Sequence, residues 1–168
     1  MKCPYCGSVN MAGSDDCEYC QGNLSSLDGV LLTKNRIKKI LMEDPVSHLE
    51  PKAATVVAPT LSVKEAISLM NRKKVSCLLV GETTNIHGIL TERDILFKVI
   101  AKKRRPEDVS VSEVMTGSPV TLEEEDSLAC AVNKMSLGGY RHLPILGKGK
   151  PVGVISIQDL LKHLASFL

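Results

Sequence analysis

The sequence predicts an α/β fold in which one β-α-β-β-α unit is used twice, preceded by a small metal-binding segment. Three observations predict it. Residues 46–103, moved forward by 65 positions, land on residues 111–168 without a gap, and Val46, Ser47, Ser62, Ala66, Met70, Leu78, Gly88, Asp94 and Leu96 each fall on an identical residue. Self-similarity at a fixed period marks a duplicated structural unit. Each copy carries one run of helical spacing i, i+3, i+4, i+7: Val63, Ala66, Ile67 and Met70, then Leu128, Ala131, Val132 and Met135. Four cysteines crowd the first twenty residues, while the other two, Cys77 and Cys130, sit singly within apolar stretches and read as small core residues.

The elements follow in order. Residues 1–25 form the metal-binding segment, 26–45 a linker and connecting helix, 46–105 the first repeat and 106–168 the second. Asn23 to Gly29 is polar and turn-rich. A short helix starts at Asn35 or a neighbour, with Ile37, Ile40 and Leu41 on one face and Lys38 and Lys39 on the other, and Asp44-Pro45 ends it. Each repeat opens with a turn-rich stretch (His48 to Ala54; Glu113 to Pro119). A short strand follows near Thr55-Val56-Val57 and Val120-Thr121-Leu122, then the amphipathic helix. An apolar strand comes next (Val75 to Val80; Tyr140 to Leu146). A third strand (His87 to Leu90; Val152 to Ile155) leads into a closing helix (Glu92 to Lys102; Ile157 to Phe167). Such alternation gives sheets with helices on their faces. Gly147-Lys-Gly-Lys150 lies between two strands and reads as a hairpin turn, since a phosphate-binding Walker loop needs Gly-Lys-Ser/Thr opening a helix. Lys102-Lys-Arg-Arg105 reads as cations at a helix C-terminus.

Cys3-Pro-Tyr-Cys6-Gly7 and Cys17-Glu-Tyr-Cys20-Gln21-Gly22 are two Cys-x-x-Cys knuckles ten residues apart. One alone would suit a redox pair; two together suit a tetrahedral metal held by four thiolates. Zn²⁺ fits, and iron in a rubredoxin-like site uses the same donors. The segment resembles the short zinc-ribbon family, departing from it at Gln21, where glycine is common. The resemblance implies a structural site at Cys3, Cys6, Cys17 and Cys20, whose metal supplies the folding energy that so few residues lack.

Charge narrows the partners. The chain carries +2 overall, but residues 1–29 hold one Lys against Asp15, Asp16, Glu18 and Asp28, a balance of −3. Four thiolates with one Zn²⁺ make that −5, which phosphate backbones would repel. Two Phe, three Tyr and no Trp leave few faces on which bases stack. A nucleic-acid-binding regulator using the ribbon or the Lys/Arg clusters is the alternative that these features disfavour. No apolar run approaches the ~20 residues of a membrane span, and the first 25 residues lack a signal-type apolar segment. The expectation is a cytoplasmic protein.

Thr91-x-x-Asp94 and Ser156-x-x-Asp159 each stand at a strand-to-helix junction, three residues after Gly88 and Gly153. A capping box accounts for both pairs. A ligand grip uses the same geometry: a helix N-terminus favours an anion, and a carboxylate can accept both hydroxyls of a ribose. The residues alone leave both readings open. His48, His87, His142 and His163 are scattered, with no catalytic constellation around them, so an enzyme is not expected.

The duplicated unit, with Gly-x-x-Thr/Ser-x-x-Asp after its third strand and Tyr140-Arg-His-Leu-Pro144 in its second, resembles the CBS domain, two of which in tandem make a Bateman module. The resemblance covers roughly residues 40–168. It implies a regulatory module that binds AMP, ADP, ATP or S-adenosylmethionine in two clefts, dimerises through its helices, and signals to a protein partner not named by the sequence. Carried over by motif, Asp94 and Asp159 would hold ribose hydroxyls, and Thr91 and Ser156 ribose or phosphate oxygens. Arg141 and His142 would face phosphates; Thr55, Val56, Val120 and Thr121 would line adenine. The first repeat departs from this pattern, having Ser76-Cys77 in place of Arg141-His142, so two unequal clefts are expected.

Overall fold

The computed structural model describes residues 1–24 and 36–167. Most of the predicted linker, and Asn35 at the expected helix start, lie outside the described residues. The chain forms two compact units: Met1–Lys52 with Leu122–Ile145 and Val154–Leu168, and Ala53–Thr121 with Leu146–Gly153.

In the second of these, β2 (Val56–Val57) runs parallel to β3 (Cys77–Glu82), with Val56 opposite Leu79. β3 is antiparallel to β4 (Asn85–Thr91), and β4 to the two-residue β5 (Thr116–Gly117), giving the order β2-β3-β4-β5. Gly81 sits at a bulge in β3 with φ +141°, where a Cβ would stand 2.5 Å from the Asn85 carbonyl oxygen; only glycine fits there. α2 (Val63–Lys73) starts in a reciprocal capping box between Ser62 and Glu65. Its Val63, Ala66 and Met70 stripe packs on Leu78, Val80 and Leu90 of the sheet, with Ile95, Val99, Val111 and Val114 completing the core.

A second sheet follows the same plan, with the order β1-β8-β7-β6, from β1 (Lys52–Ala53), β8 (Lys150–Ser156), β7 (His142–Gly147) and β6 (Leu122–Glu123). α1 (Arg36–Glu43), α5 (Leu128–Gly138) and α6 (Ile157–Ala165) contribute Ile40, Leu128, Ala131, Met135 and Leu160 to a core with Leu143, Ile145 and Ile155. Lys148 and Gly149, at φ 51° and 76°, form the turn between β7 and β8, as a two-residue hairpin requires.

The central strands start two residues later than their apolar runs suggest. The Val75 amide donates to the Met70 carbonyl, and the Tyr140 amide to the Met135 carbonyl. These are 6→1 bonds that close a helix C-terminus, preceded by Lys74 and Gly139 in the left-handed region. Val75 and Tyr140 therefore still belong to helix ends. The first strands start one or two residues after Thr55 and Val120. The turn-rich stretches hold more structure than expected, namely β1, β5, a 3-10 turn at Val46–Leu49 and α4 (Val111–Val114). Two-residue strands of Lys, Ala, Thr and Gly have no periodicity to read. The expected helix from Glu92 divides into α3 (Glu92–Ile95) and a π-helical turn over Leu96–Ile100, closed by the Ala101 amide on the Leu96 carbonyl.

Candidate functional site

The two cysteine knuckles are short hairpins, bridged at Lys2 with Val9 and at Asp16 with Asn23. In each, the amide just after the knuckle folds back: Gly7 N–H to the Cys3 carbonyl and Gln21 N–H to the Cys17 carbonyl, both at 2.8 Å. Gly7 takes φ 80° there and Gln21 takes φ 56°, so Gln21 adopts the left-handed turn itself. Gly22 has another reason, since a Cβ on it would lie 2.7 Å from the Tyr5 ring. The Sγ atoms of Cys3 and Cys20 are 3.8 Å apart and those of Cys6 and Cys17 are 3.6 Å apart. All four lie within 4.8 Å of one another. Four sulfurs about 2.3 Å from a tetrahedral Zn²⁺ stand about 3.8 Å apart, so the donor set fits a metal of that kind. The amide of Cys20 and its neighbours pull the Cys17 thiol down to about 6, while burial pushes Cys3 up to about 12. A metal held here would take all four sulfurs as thiolates, so its binding releases protons and depends on pH. Sequence reasoning missed Asn10. It is buried, gives its side-chain amide to Cys17 Sγ at 3.3 Å and accepts from the Glu18 amide at 3.0 Å.

The ribbon is seated on the start of α5. Lys2 Nζ meets Asp126 Oδ1 at 2.5 Å, Ser127 Oγ donates to the Pro4 carbonyl at 2.6 Å, and Asn133 Nδ2 to the Tyr5 carbonyl at 2.6 Å. A Cβ on Gly7 would touch Asp126 and Cys130, at 3.5 and 3.6 Å. Asp126 is almost wholly buried. Burial works against its charge, but Lys2, the Glu123 amide and Lys134 outweigh that and hold its carboxyl below the usual value.

The two motif junctions have the same construction. At the end of β4, the Asp94 amide donates to Thr91 Oγ1 at 3.2 Å, and Asp94 Oδ2 accepts from the Thr91 amide at 3.0 Å and hydroxyl at 2.6 Å. At the end of β8, the Asp159 amide donates to Ser156 Oγ at 3.3 Å, and Asp159 Oδ2 accepts from the Ser156 amide at 2.8 Å and hydroxyl at 2.6 Å. Both are reciprocal capping boxes, at residues neither fully exposed nor fully buried. The residue just ahead of the neighbouring strand, β3 or β7, is tied to the first turn of each helix: the Glu92 amide donates to the Ser76 carbonyl at 3.2 Å, and the Ile157 amide to the Arg141 carbonyl at 3.0 Å. Arg141 is thereby brought to the Ser156–Asp159 junction, with its side chain exposed and His142 next to it, partly buried.

The first junction holds two residues that sequence reasoning did not single out. Lys98 Nζ lies 2.6 Å from Asp94 Oδ1, and Thr116 Oγ1 donates to the same oxygen at 3.2 Å. Burial disfavours the Asp94 charge, yet Lys98 and Thr91 prevail and keep its carboxyl below the ordinary 3.8. The signal was available for Lys98, which lies four residues after Asp94 on the same helical face. Thr55 gives its carbonyl to the Leu79 amide, and Val56 pairs with Leu79, so both flank β3. Val120 is exposed and Thr121 half-buried, immediately before β6. A shallow hollow of about 400 Å³ along α2, lined by Leu61, Lys64, Glu65, Ser68, Leu69 and Arg72, includes none of the predicted residues.

The model of the CBS domain family matches residues 37–101 and again residues 111–166. The CBS domain-containing protein CBSCBSPB1 of Arabidopsis thaliana is 34% identical over 123 residues, which are 73% of this chain and 22% of that protein. The chain thus spans about a fifth of the Arabidopsis relatives' length. An uncharacterised 17.7 kDa protein of Acidianus ambivalens is 34% identical over 125 residues, covering 73% of this chain and 74% of that one. Among solved structures, a protein with CBS domains from Burkholderia ambifaria aligns with TM-score 0.65 at 36% identity, over 76% of this chain and 92% of that one. A CBS domain protein of Pyrobaculum aerophilum complexed with AMP aligns with TM-score 0.64 at 23% identity, over 73% of this chain and 98% of that one. That last likeness carries the fold alone.

Proposed function

This chain belongs to the CBS domain family, and from that premise we propose that it is a non-enzymatic regulatory module that binds an adenosine-containing ligand and presents the bound state to a protein partner. The carrying observation is the motif junction built twice. Each sets a carboxylate, held by its own Thr or Ser, beside the first turn of a helix whose amides are free of intrahelical partners. Asp159 would take the ribose hydroxyls, Ser156 a ribose or phosphate oxygen, and Arg141 with His142 the phosphate. Thr55, Val56, Val120 and Thr121 are the residues we assign to adenine. AMP, ADP, ATP and S-adenosylmethionine share the ribose diol and differ in charge, so Arg141 favours the phosphorylated members. A ligand that prefers one conformation shifts the population toward it, which is all the signal requires.

Four further assignments accompany this reading. The residues 1–25, 26–45, 46–105 and 106–168 act as ribbon, connector and two repeats. The metal is a structural Zn²⁺, and elemental analysis of the purified chain should return one zinc per molecule; iron at that ratio overturns the zinc assignment. The chain works as a homodimer, since Leu96, Phe97, Ile100 and Leu161 on the closing helices are more than half or about half exposed in the single chain. It acts in the cytoplasm; no helix among the described residues is long and apolar enough to cross a membrane.

Calorimetric titration with AMP, ATP and S-adenosylmethionine tests the ligand. Binding by at least one is expected, weakened at least about tenfold by Asp159→Ala, the order of a charged hydrogen bond lost. No binding by any of the three overturns the reading.

A further inference from the structure

The two carboxylates differ in how much hydrogen-bonding capacity remains. An ionised carboxylate offers about four lone-pair sites. Asp94 accepts from the Thr91 amide, the Thr91 hydroxyl, Lys98 Nζ and the Thr116 hydroxyl, so its sites are filled. Lys98 is itself held: its ammonium also donates to the Val114 carbonyl at 2.8 Å and reaches the Met115 carbonyl at 3.4 Å. Asp159 accepts from the Ser156 amide and hydroxyl on Oδ2 alone. Its Oδ1 has no hydrogen-bond or ion-pair partner among the described residues. Two sites remain there, the number of hydrogens a ribose diol donates.

The sequence explains the difference. The 65-residue shift places His163 at Lys98 and Pro51 at Thr116. Proline has no hydroxyl to give. His163 turns to another acid, with Nε2 3.6 Å from Asp44 Oδ2 and its ring edge-on to Phe167. Neither contact on Asp94 Oδ1 has a counterpart in the second repeat.

We propose that Lys98 is a built-in occupant of the first diol grip, so that the chain offers one nucleoside site, at Asp159, and keeps Asp94 closed until Lys98 is displaced. The inference rests on the nucleotide reading above and adds which half of the duplication takes the ligand. A ribose approaching Asp94 must displace a cation at 2.6 Å and a hydroxyl at 3.2 Å. A ribose approaching Asp159 Oδ1 meets neither of these contacts. Lys98 is thus a specificity-determining residue, acting on occupancy and not on the fold of the grip.

Titration of the metal-loaded chain with adenosine and with AMP tests this. Adenosine carries the diol without phosphate, so the missing Arg141–His142 counterpart in the first repeat cannot mask a gained site. The wild type should bind one equivalent, lost in Asp159→Ala. Lys98→Met should bind two, and Lys98→Met with Asp159→Ala should bind one, removed again by Asp94→Ala. Two equivalents on the wild type, or one equivalent on Lys98→Met, overturns this inference while leaving the nucleotide reading standing. No binding by any variant, wild type included, overturns both. Circular dichroism melting of each variant separates a lost site from a lost fold.

Discussion

At the Ser156–Asp159 junction the hydroxyl accepts from the Asp159 amide, while the carboxylate takes back the Ser156 amide and hydroxyl protons. Removing either side chain therefore costs helix stability whether or not anything binds there. Ser156→Ala and Thr91→Ala should each destabilise by about 1 kcal/mol, the usual value of an N-cap, measured by urea denaturation. Only Ser156→Ala should also weaken AMP. Equal effects of the two substitutions on binding would show that occupancy does not follow the open carboxylate. Lys98 makes a second, pH-dependent prediction. Asp94 has a folded-state pKa below its ordinary 3.8. Its contribution to stability is fully present above that value and is lost as pH falls through the lowered one. Lys98→Met, by removing a main cause of the depression, should cost stability at pH 7, and the gap to wild type should narrow below pH 3.8. A gap unchanged between pH 7 and pH 3 would mean that Lys98 contributes packing and not charge. At this scale the sequence was legible where spacing alone decides, as in the cysteine quartet and the Thr/Ser-x-x-Asp pairs. Asn10 and Thr116 act across turns and strands, eight residues from Glu18 and twenty-two from Asp94, and no spacing rule points to them.

Elements were legible where they are long and one-sided. α2 and α5 occupy the windows their apolar spacing marks; Val63, Ala66 and Met70 lie in one core with Ile67 against it, and Leu128, Ala131 and Met135 lie in the other, while Val132, expected on the same stripe, is exposed. The helix after Thr91 was legible as a helix, but not its change to π-helical turns at Leu96–Ile100. That segment buries Val99 and leaves Leu96, Phe97 and Ile100 exposed, at 53%, 56% and 50%. Three large apolar side chains on one short stretch form the kind of surface that a second chain covers. Arg93 stands over the Phe97 ring at 5.7 Å, a contact that would remain available at the rim of such an interface. Phe97→Asp should convert the proposed homodimer to monomer in light scattering after size exclusion. The α2 capping box is remote from this surface in sequence, so Ser62→Ala serves as a control that lowers stability and leaves mass unchanged. A Phe97→Asp chain that keeps the wild-type mass would remove these helices from the interface.

For the whole molecule, duplication supplies two copies of one plan, and the ribbon is fastened to one of them. The reason is a substitution between the copies. In the first repeat the Ser62 hydroxyl donates to Glu65, the third residue of α2, at 2.6 Å. The 65-residue shift replaces Glu65 with Cys130, a poor acceptor, and the Ser127 hydroxyl donates instead to the Pro4 carbonyl of the ribbon. Ser127 keeps its capping role, accepting from the Cys130 amide at 3.1 Å. Lys2 and Lys134 together offset the buried Asp126, so a detached ribbon would leave that carboxylate short of one cation. Such a group is costly to leave uncompensated. The ribbon's own apolar cluster is Cys3, Cys17 and Leu24, with Tyr5, Cys6 and Cys20 beside it, far too little to order two dozen residues without metal. Chelation should therefore do two things in sequence. Amide hydrogens of residues 1–24 should lose protection first. The first turns of α5, around Asp126 to Asn133, should then exchange faster, because Pro4, Tyr5 and Lys2 no longer hold them. Lys2→Ala in the metal-loaded chain should reproduce the second effect without the first, which isolates the ion pair from the metal. Hydrogen exchange read by mass spectrometry resolves both segments. A gain confined to residues 1–24 after chelation would show that the ribbon rests on α5 without stabilising it, and that the metal's folding energy stays within the ribbon.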